Sequence, residues 1–224
     1  MRVSIIVPAL DEENTIASTL EDLRSFPAEV IVVDGGSRDR TAEIARQMQV
    51  MVIASSRGRA RQMNAGAAAA AGDALLFLHA DTRLPSSAIE DVQSALNDPR
   101  HVGGRFDLKL DDDRTIFRLI GFLISLRSRV TKVATGDQAI FVRREIFQTI
   151  SGFPEIPILE DVAFCRALKK MGKVACLRSR VATSARRWQK DGIGRTIVKM
   201  WALKFLFLIG VSPFRLKRFY AEVR

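Results

Sequence analysis

Val3-Ser4-Ile5-Ile6-Val7-Pro8-Ala9-Leu10-Asp11-Glu12-Glu13 reads as a short buried strand broken by a proline into an acidic turn, with a helix expected over 12–24. The same unit repeats outward from it. An apolar run at 29–33 ends at Asp34-Gly35-Gly36-Ser37 and leads to a helix over 39–48. A strand at 50–54 precedes a helix over 58–71. Ala74-Leu75-Leu76-Phe77-Leu78 is apolar enough to be buried on both faces, and it ends at His79-Ala80-Asp81-Thr82. Strands alternating with helices predict an α/β fold, with a mainly parallel central sheet flanked by helices. Polar clusters then fall at the C-terminal ends of strands, where open α/β sheets hold their ligands. Past Pro85 the pattern predicts helices over 86–96, 114–129 and 159–171, strands over 102–110, 138–143 and 173–177, and a basic helical segment after Trp188.

With 224 residues, 47% of them hydrophobic, the chain can bury the core of one large α/β domain. The formal charge of +10 is uneven: residues 178–224 hold 12 basic and 2 acidic side chains, and residues 1–177 hold 23 of each. A charge gathered in one segment points to a local anionic partner. Cys165 and Cys176 make no disulfide framework and, with two histidines, no zinc site, which fits a reducing cytoplasm. Met1-Arg2 enters the first strand without a leader pattern, so export is not expected. The longest apolar stretch, 197–211, is interrupted by Lys199 and Lys204. As a helix it reaches roughly 22 Å, short of a bilayer core of about 30 Å.

Several residues have both a plain and a chemical reading. Asp34 could simply close a strand before a turn capped by Ser37 or Asp39, or it could accept hydrogen bonds from a base or ribose. Neither GxGxxG nor GxxxxGK[ST] is present, so a nucleotide must be held another way. Asp81, at the exit of the most apolar strand, could lie in a solvated turn or hold Mg²⁺ or Mn²⁺ beside substrate phosphates. Arg57, Arg59 and Arg61 crowd the start of a helix, where positive charge opposes the helix dipole, and an anionic ligand explains them better. Glu160 and Asp161 open a helix and could be dipole complements alone. Gly136-Asp137-Gln138 before a strand is equally open.

Four runs taken together resemble the family 2 glycosyltransferases of GT-A fold: 4–13, Val32-Val33-Asp34-Gly35-Gly36-Ser37-Arg38-Asp39-Arg40-Thr41, Leu78-His79-Ala80-Asp81-Thr82 and Glu160-Asp161. The likeness covers about residues 1–190. It is greatest to a short bacterial branch in which Arg-Gly-Arg-Ala-x-Gln-Met-Asn-Ala-Gly and His-Ala-Asp-Thr recur. The resemblance implies inverting transfer of a sugar from a nucleoside-diphosphate donor, a UDP- or GDP-sugar, to an acceptor hydroxyl. Pro8, Ala9, Leu10 and Glu12 would line the nucleotide pocket with Asp34 facing the base. Arg57, Arg59 and Gln62 would reach the nucleotide or its phosphates, and His79, Ala80 and Asp81 would form the metal motif with Asp81 holding Mn²⁺ or Mg²⁺. Asp161 would be the catalytic base, and Gly136, Asp137, Gln138, Glu160, Arg187 and Trp188 would lie on the acceptor side. His79 stands where the family carries a first Asp, Asp11 where it usually carries Asn, and Ser184 where processive members carry Gln.

The expected organisation is a GT-A domain over 1–190, with a nucleotide-binding half at about 1–110 and an acceptor half at about 111–190. A basic amphipathic helical tail over 191–224 follows. The tail helix, apolar over most of its circumference, could be buried on the domain, paired with a partner or laid in a membrane interface, and the run Phe214-Arg215-Leu216-Lys217-Arg218-Phe219-Tyr220 suits an anionic membrane surface and a lipid-borne acceptor. It carries no nucleic-acid motif, and a homodimer stays open. The expected enzyme is thus cytoplasmic and peripheral on the membrane. Two rivals are a sugar nucleotidyltransferase, whose Gly-rich, Lys-containing phosphate loop is missing here, and a non-catalytic membrane-docking protein that binds nucleotide sugars.

Overall fold

The structure is a computed structural model that describes residues 1–219, apart from the side chain of Arg187. Its strands are β1 (Val3–Ala9), β2 (Glu29–Asp34), β3 (Met51–Ala54), β4 (Ala74–Phe77), β5 (Thr82–Arg83), β6 (His101–Leu110), β7 (Ile140–Arg143) and β8 (Lys173–Thr183). Its helices are α1 (Ile16–Leu23), α2 (Thr41–Gln47), α3 (Arg59–Ala69), α4 (Ala88–Asn97), α5 (Thr115–Thr131), α6 (Arg144–Thr149), α7 (Glu160–Met171), α8 (Arg186–Asp191), α9 (Ile193–Leu208) and α10 (Pro213–Leu216). Among the described residues no helix is long and apolar enough to cross a membrane.

One sheet runs in the order β3-β2-β1-β4-β7-β6-β8-β5. The pairs β2/β3, β1/β2, β1/β4 and β6/β8 are parallel. The pairs β4/β7, β6/β7 and β5/β8 are antiparallel. The sheet is therefore mixed: β7 enters between β4 and β6 against both, and joins a parallel first half to the second half of the chain.

Alternation along β1 sends Val3, Ile5 and Val7 to one face, where Leu20 of α1 and Val92 of α4 cover them. Ile6 on the other face meets Ala60, Met63 and Ala67 of α3. A Cβ on Gly66 would stand 2.4 Å from Ile6 Cγ2, so glycine is what lets α3 lie this close to the sheet. Phe77, Phe147, Phe153 and Phe164 close the same layer, with Phe153 and Phe164 stacked at 4.2 Å between centroids.

Several boundaries differ from expectation. The first helix begins at Ile16, because Asp11 takes φ +54° and its carboxylate accepts the Arg38 N–H at 2.8 Å, making 12–15 a loop. The strand expected over 138–143 starts at Ile140, since Gln138 belongs to a 3₁₀ turn, Gly136–Gln138. The strand expected to end at 177 continues to Thr183, because β6 offers it partners as far as Leu110. Helix α6 and strand β5 were not expected.

Candidate active site

A cleft of about 530 Å³ opens at the C-terminal ends of β1 and β4. Pro8, Ala9, Leu10 and Glu12 form one wall as the chain leaves β1. Arg57 and Arg59, at the start of α3, line the same cleft. The β4 exit, 79–81, forms its floor and is anchored from behind, where Thr19 of α1 donates its hydroxyl to the Ala80 carbonyl at 2.6 Å. Burial pushes the Asp81 carboxyl above its usual value; Arg186 and Arg59 oppose this, and Asp137 adds to it. Burial also drives His79 down to about 3, so the imidazole is neutral, and its Nε2 is sealed from solvent with no hydrogen-bond partner.

The turn before β7 links this floor to α7. The Gly136 N–H donates to Asp161 Oδ2 at 2.8 Å, and a Cβ on Gly136 would stand 2.6 Å from His79 Nε2. Asp161 Oδ1 accepts the Val162 N–H at 2.7 Å, so each carboxylate oxygen holds one backbone donor, and the residue lines the cleft. Glu160 is 4% exposed. Its Oε1 lies 3.7 Å from Arg59 Nη1, and burial pushes its carboxyl up to about 7 against the pull of Arg59. The αL backbone of Leu159, φ +63°, turns the chain so that both acids enter the first turn of α7.

Not every expected residue faces the cleft. Gln138 is fully buried and donates its amide to the Phe106 carbonyl and to Ser128 Oγ at 2.9 Å; it supports the turn from inside the core. Gln62 lines the cleft, but its Nε2 is spent on the carbonyls of Ala9 and Val33 at 2.7 and 2.9 Å, tying β1 to β2. Asp34 lies outside the cleft lining and accepts the Gly36 N–H at 3.1 Å. Trp188 lines the cleft, whereas the Arg187 side chain lies outside the described residues.

Other residues enter the site without having been expected there. Arg186 acts electrostatically on Asp81. Met200 and Leu203 of α9, with Phe214 and Lys217 beyond it, form a wall of the cleft. Leu203 and Leu216 are buried with Ile158, so the basic segment is seated on the domain at this point. Lys204, lowered to about 8 by burial and by Arg127, feels the charges of Asp161 and Asp137. The adjacent arginines in Ala185-Arg186-Arg187-Trp188 were a signal for Arg186; for α9, amphipathicity marked a buried face without saying what it covers.

The profile of glycosyl transferase family 2 matches residues 4–154. The chain belongs to that family. Among the family's curated members, the glycosyltransferase AglE of Haloferax volcanii is 24% identical, over 94% of this chain and 81% of its own. The O-antigen chain rhamnosyltransferase RfbN of Salmonella typhimurium is 27% identical over 75% of this chain and 60% of its own. The fold is that of GT-A glycosyltransferases. A mannosyltransferase from Pyrobaculum calidifontis, solved with GDP-Man and Mn²⁺, superposes with TM-score 0.69 and 18% identity over all of this chain and 66% of its own. Glucosyl-3-phosphoglycerate synthase from Mycobacterium tuberculosis, solved with Mn²⁺, UDP and glucosyl-3-phosphoglycerate, gives 0.61 at 19% identity over 88% of this chain and 77% of its own.

Proposed function

We propose that the protein transfers a sugar, with inversion, from a UDP- or GDP-sugar to the hydroxyl of a membrane-borne acceptor, with Asp161 as general base. The observation that carries this reading is the single cleft into which Asp81, Arg59 and Asp161 all open, with the Gly136 turn linking floor to base. The bond from the anomeric carbon to the diphosphate breaks as the acceptor oxygen attacks the opposite face of the ring. That oxygen's proton passes to Asp161, and the electron pair leaves with the diphosphate. Arg57 and Arg59 offset the charge that the leaving group gains.

A divalent cation fits this donor set. Among the described residues no three His, Cys, Asp or Glu side chains gather into a metal cage. Asp137 Oδ1, however, is buried without a partner, and the Asp137 carboxylate adds to the cost of ionising Asp81. Asp81 with Asp137 would hold Mn²⁺ or Mg²⁺, hard ions that take few carboxylates and complete their shells with phosphate and water. The ion would supply Lewis-acid stabilisation of the leaving diphosphate. Mn²⁺ in the two structural neighbours supports this reading.

A membrane-borne acceptor is supported by the human relative named dolichyl-phosphate beta-glucosyltransferase, 26% identical over 43% of this chain. The charge of the 191–224 segment, which we assign to an anionic membrane surface, supports it as well. The test is thermal unfolding with UDP-, GDP- and dTDP-sugars, with and without Mn²⁺. One donor at about a hundred times its Kd should stabilise the protein by about 2.7 kcal/mol. Asp81→Ala should lose the Mn²⁺-dependent part of that gain. Melting temperatures unmoved by every nucleotide sugar would contradict the reading.

A further inference from the structure

Apolar side chains left in water are concentrated in two helical segments of this molecule. Among the described residues, all the large exposed hydrophobic side chains but Met1, Met51 and Met171 lie within 116–130 or 197–219. On α5 these are Ile116, Leu119, Phe122, Leu123, Leu126 and Val130. At 3.6 residues per turn they fall within an arc of about 120°, opposite a second apolar face that is buried. On α9 they are Ile197, Val198, Trp201, Phe205 and Leu208, continued by Ile209, again within an arc of about 120°. Buried Leu203 lies on the far side of that arc.

The two helices are neighbours. Phe117, Ile120 and Ile124 of α5 form one apolar cluster with Trp188 and with Ile193, the first residue of α9. The inner face of α5 thus meets the start of α9, whose own buried Leu203 packs with Ile158 and Leu216, while Phe122, at 59% exposure, Val130 at 75% and Trp201 at 67% stand open. A patch of this extent marks an interaction surface.

Charge selects the occupant. Residues 115–131 and 193–219 contain no Asp or Glu, and their charged residues, among them Arg118, Arg195, Lys199 and Arg215, are all basic. A second copy of this chain placed on the patch would set cation against cation. An anionic bilayer supplies both an apolar bed and the opposite sign. Neither helix crosses it.

We propose that α5 and α9 form one continuous in-plane docking face for an anionic lipid surface, so that membrane attachment is not a property of the C-terminal segment alone. Met200 and Leu203 of the same α9 line the cleft, and so does Phe214, 66% exposed beyond it. Docking therefore lays the mouth of the cleft beside the bilayer. The proposal deepens the reading of a membrane-borne acceptor, but its test does not depend on transfer chemistry.

The full chain is co-sedimented with vesicles of phosphatidylcholine alone and of phosphatidylcholine with phosphatidylglycerol, at low and high salt. The wild type should partition at least tenfold more strongly to the anionic vesicles and weaken in high salt. Phe122→Ser with Leu126→Ser, which leaves the C-terminal segment intact, should lower that partition about tenfold with unchanged donor-induced thermal stabilisation. Should that double variant fail to fold, Val130→Asp, at the most exposed of these apolar positions of α5, takes its place with the same expected direction. Unchanged partition of a folded α5 variant, equal binding to both vesicles, or no binding by the wild type would each overturn the proposal. So would a wild-type dimer that the α5 variant converts to monomer, because the face would then belong to a second copy.

Discussion

Gly136 sits where three functions meet: its N–H holds Asp161 Oδ2, its missing side chain makes room for His79, and its neighbour Asp137 carries an unpartnered buried oxygen. Gly136→Ala would drive a methyl group to 2.6 Å from His79 Nε2. It should destabilise the protein by roughly 1–3 kcal/mol, as overpacking does, and depress transfer further by moving Asp161. Urea unfolding beside a transfer assay checks this, and an unchanged midpoint would mean that the turn yields freely. At this scale the sequence was legible where a residue's chemistry is unusual for its place, as with Asp81 at a strand exit or arginines at a helix start. It was not legible for Gln138, because an amide that serves groups distant in sequence looks the same as one that serves a ligand. Asp11 became intelligible only with its φ of +54°, a conformation that Asp and Asn tolerate better than most residues.

The first turn of α7 and the exit of β4 hold two groups whose titration is displaced in opposite senses. Glu160 is raised from 4.5 to about 7, so it favours the native state fully below pH 4.5, and that contribution is lost as pH rises to 7. His79 is lowered from 6.5 to about 3, so the unfolded chain binds the extra proton and stability grows as pH rises from 3 to 6.5. The two trends oppose each other in the overlap. Relative to the wild type, Glu160→Gln should show a profile that rises more steeply between pH 4.5 and 7. His79→Asn should show one that falls through the same window. Denaturant midpoints at pH 5 and pH 7.5 distinguish them, and parallel profiles for all three proteins would contradict these burial-driven shifts. Among the elements, β1 to β4 were legible because each is built on a short, mostly apolar run. The far half of β8 was not, since Arg178 and Arg180 face outward and only pairing with β6 makes it a strand.

Across the whole molecule, the alternation of strands and helices sufficed for the fold class, while the antiparallel entry of β7 was invisible because strand order depends on contacts between distant segments. The same limit hid the position of α9. Its apolar circumference was plain, but Leu203 and Leu216 close over Ile158 and bring residues 200–217 to the cleft, so the basic segment belongs partly to the site. In the proposed reading the cleft is then shared: the first half of the chain would supply the donor side, and α7, residues 135–137 and α9, which line the same cleft, would supply the acceptor side. That division makes base and donor site separable by mutation.

The measurement that tests this most directly is transfer by Asp161→Asn with donor affinity determined separately. The variant keeps the size of the side chain and an oxygen for the Gly136 N–H but cannot take a proton, so transfer should fall by roughly 10²–10⁴ while donor binding barely changes. Glu160→Gln, measured alongside, should retain far more transfer. If Glu160→Gln abolishes transfer with donor affinity intact, while Asp161→Asn remains active, then Asp161 is not the base.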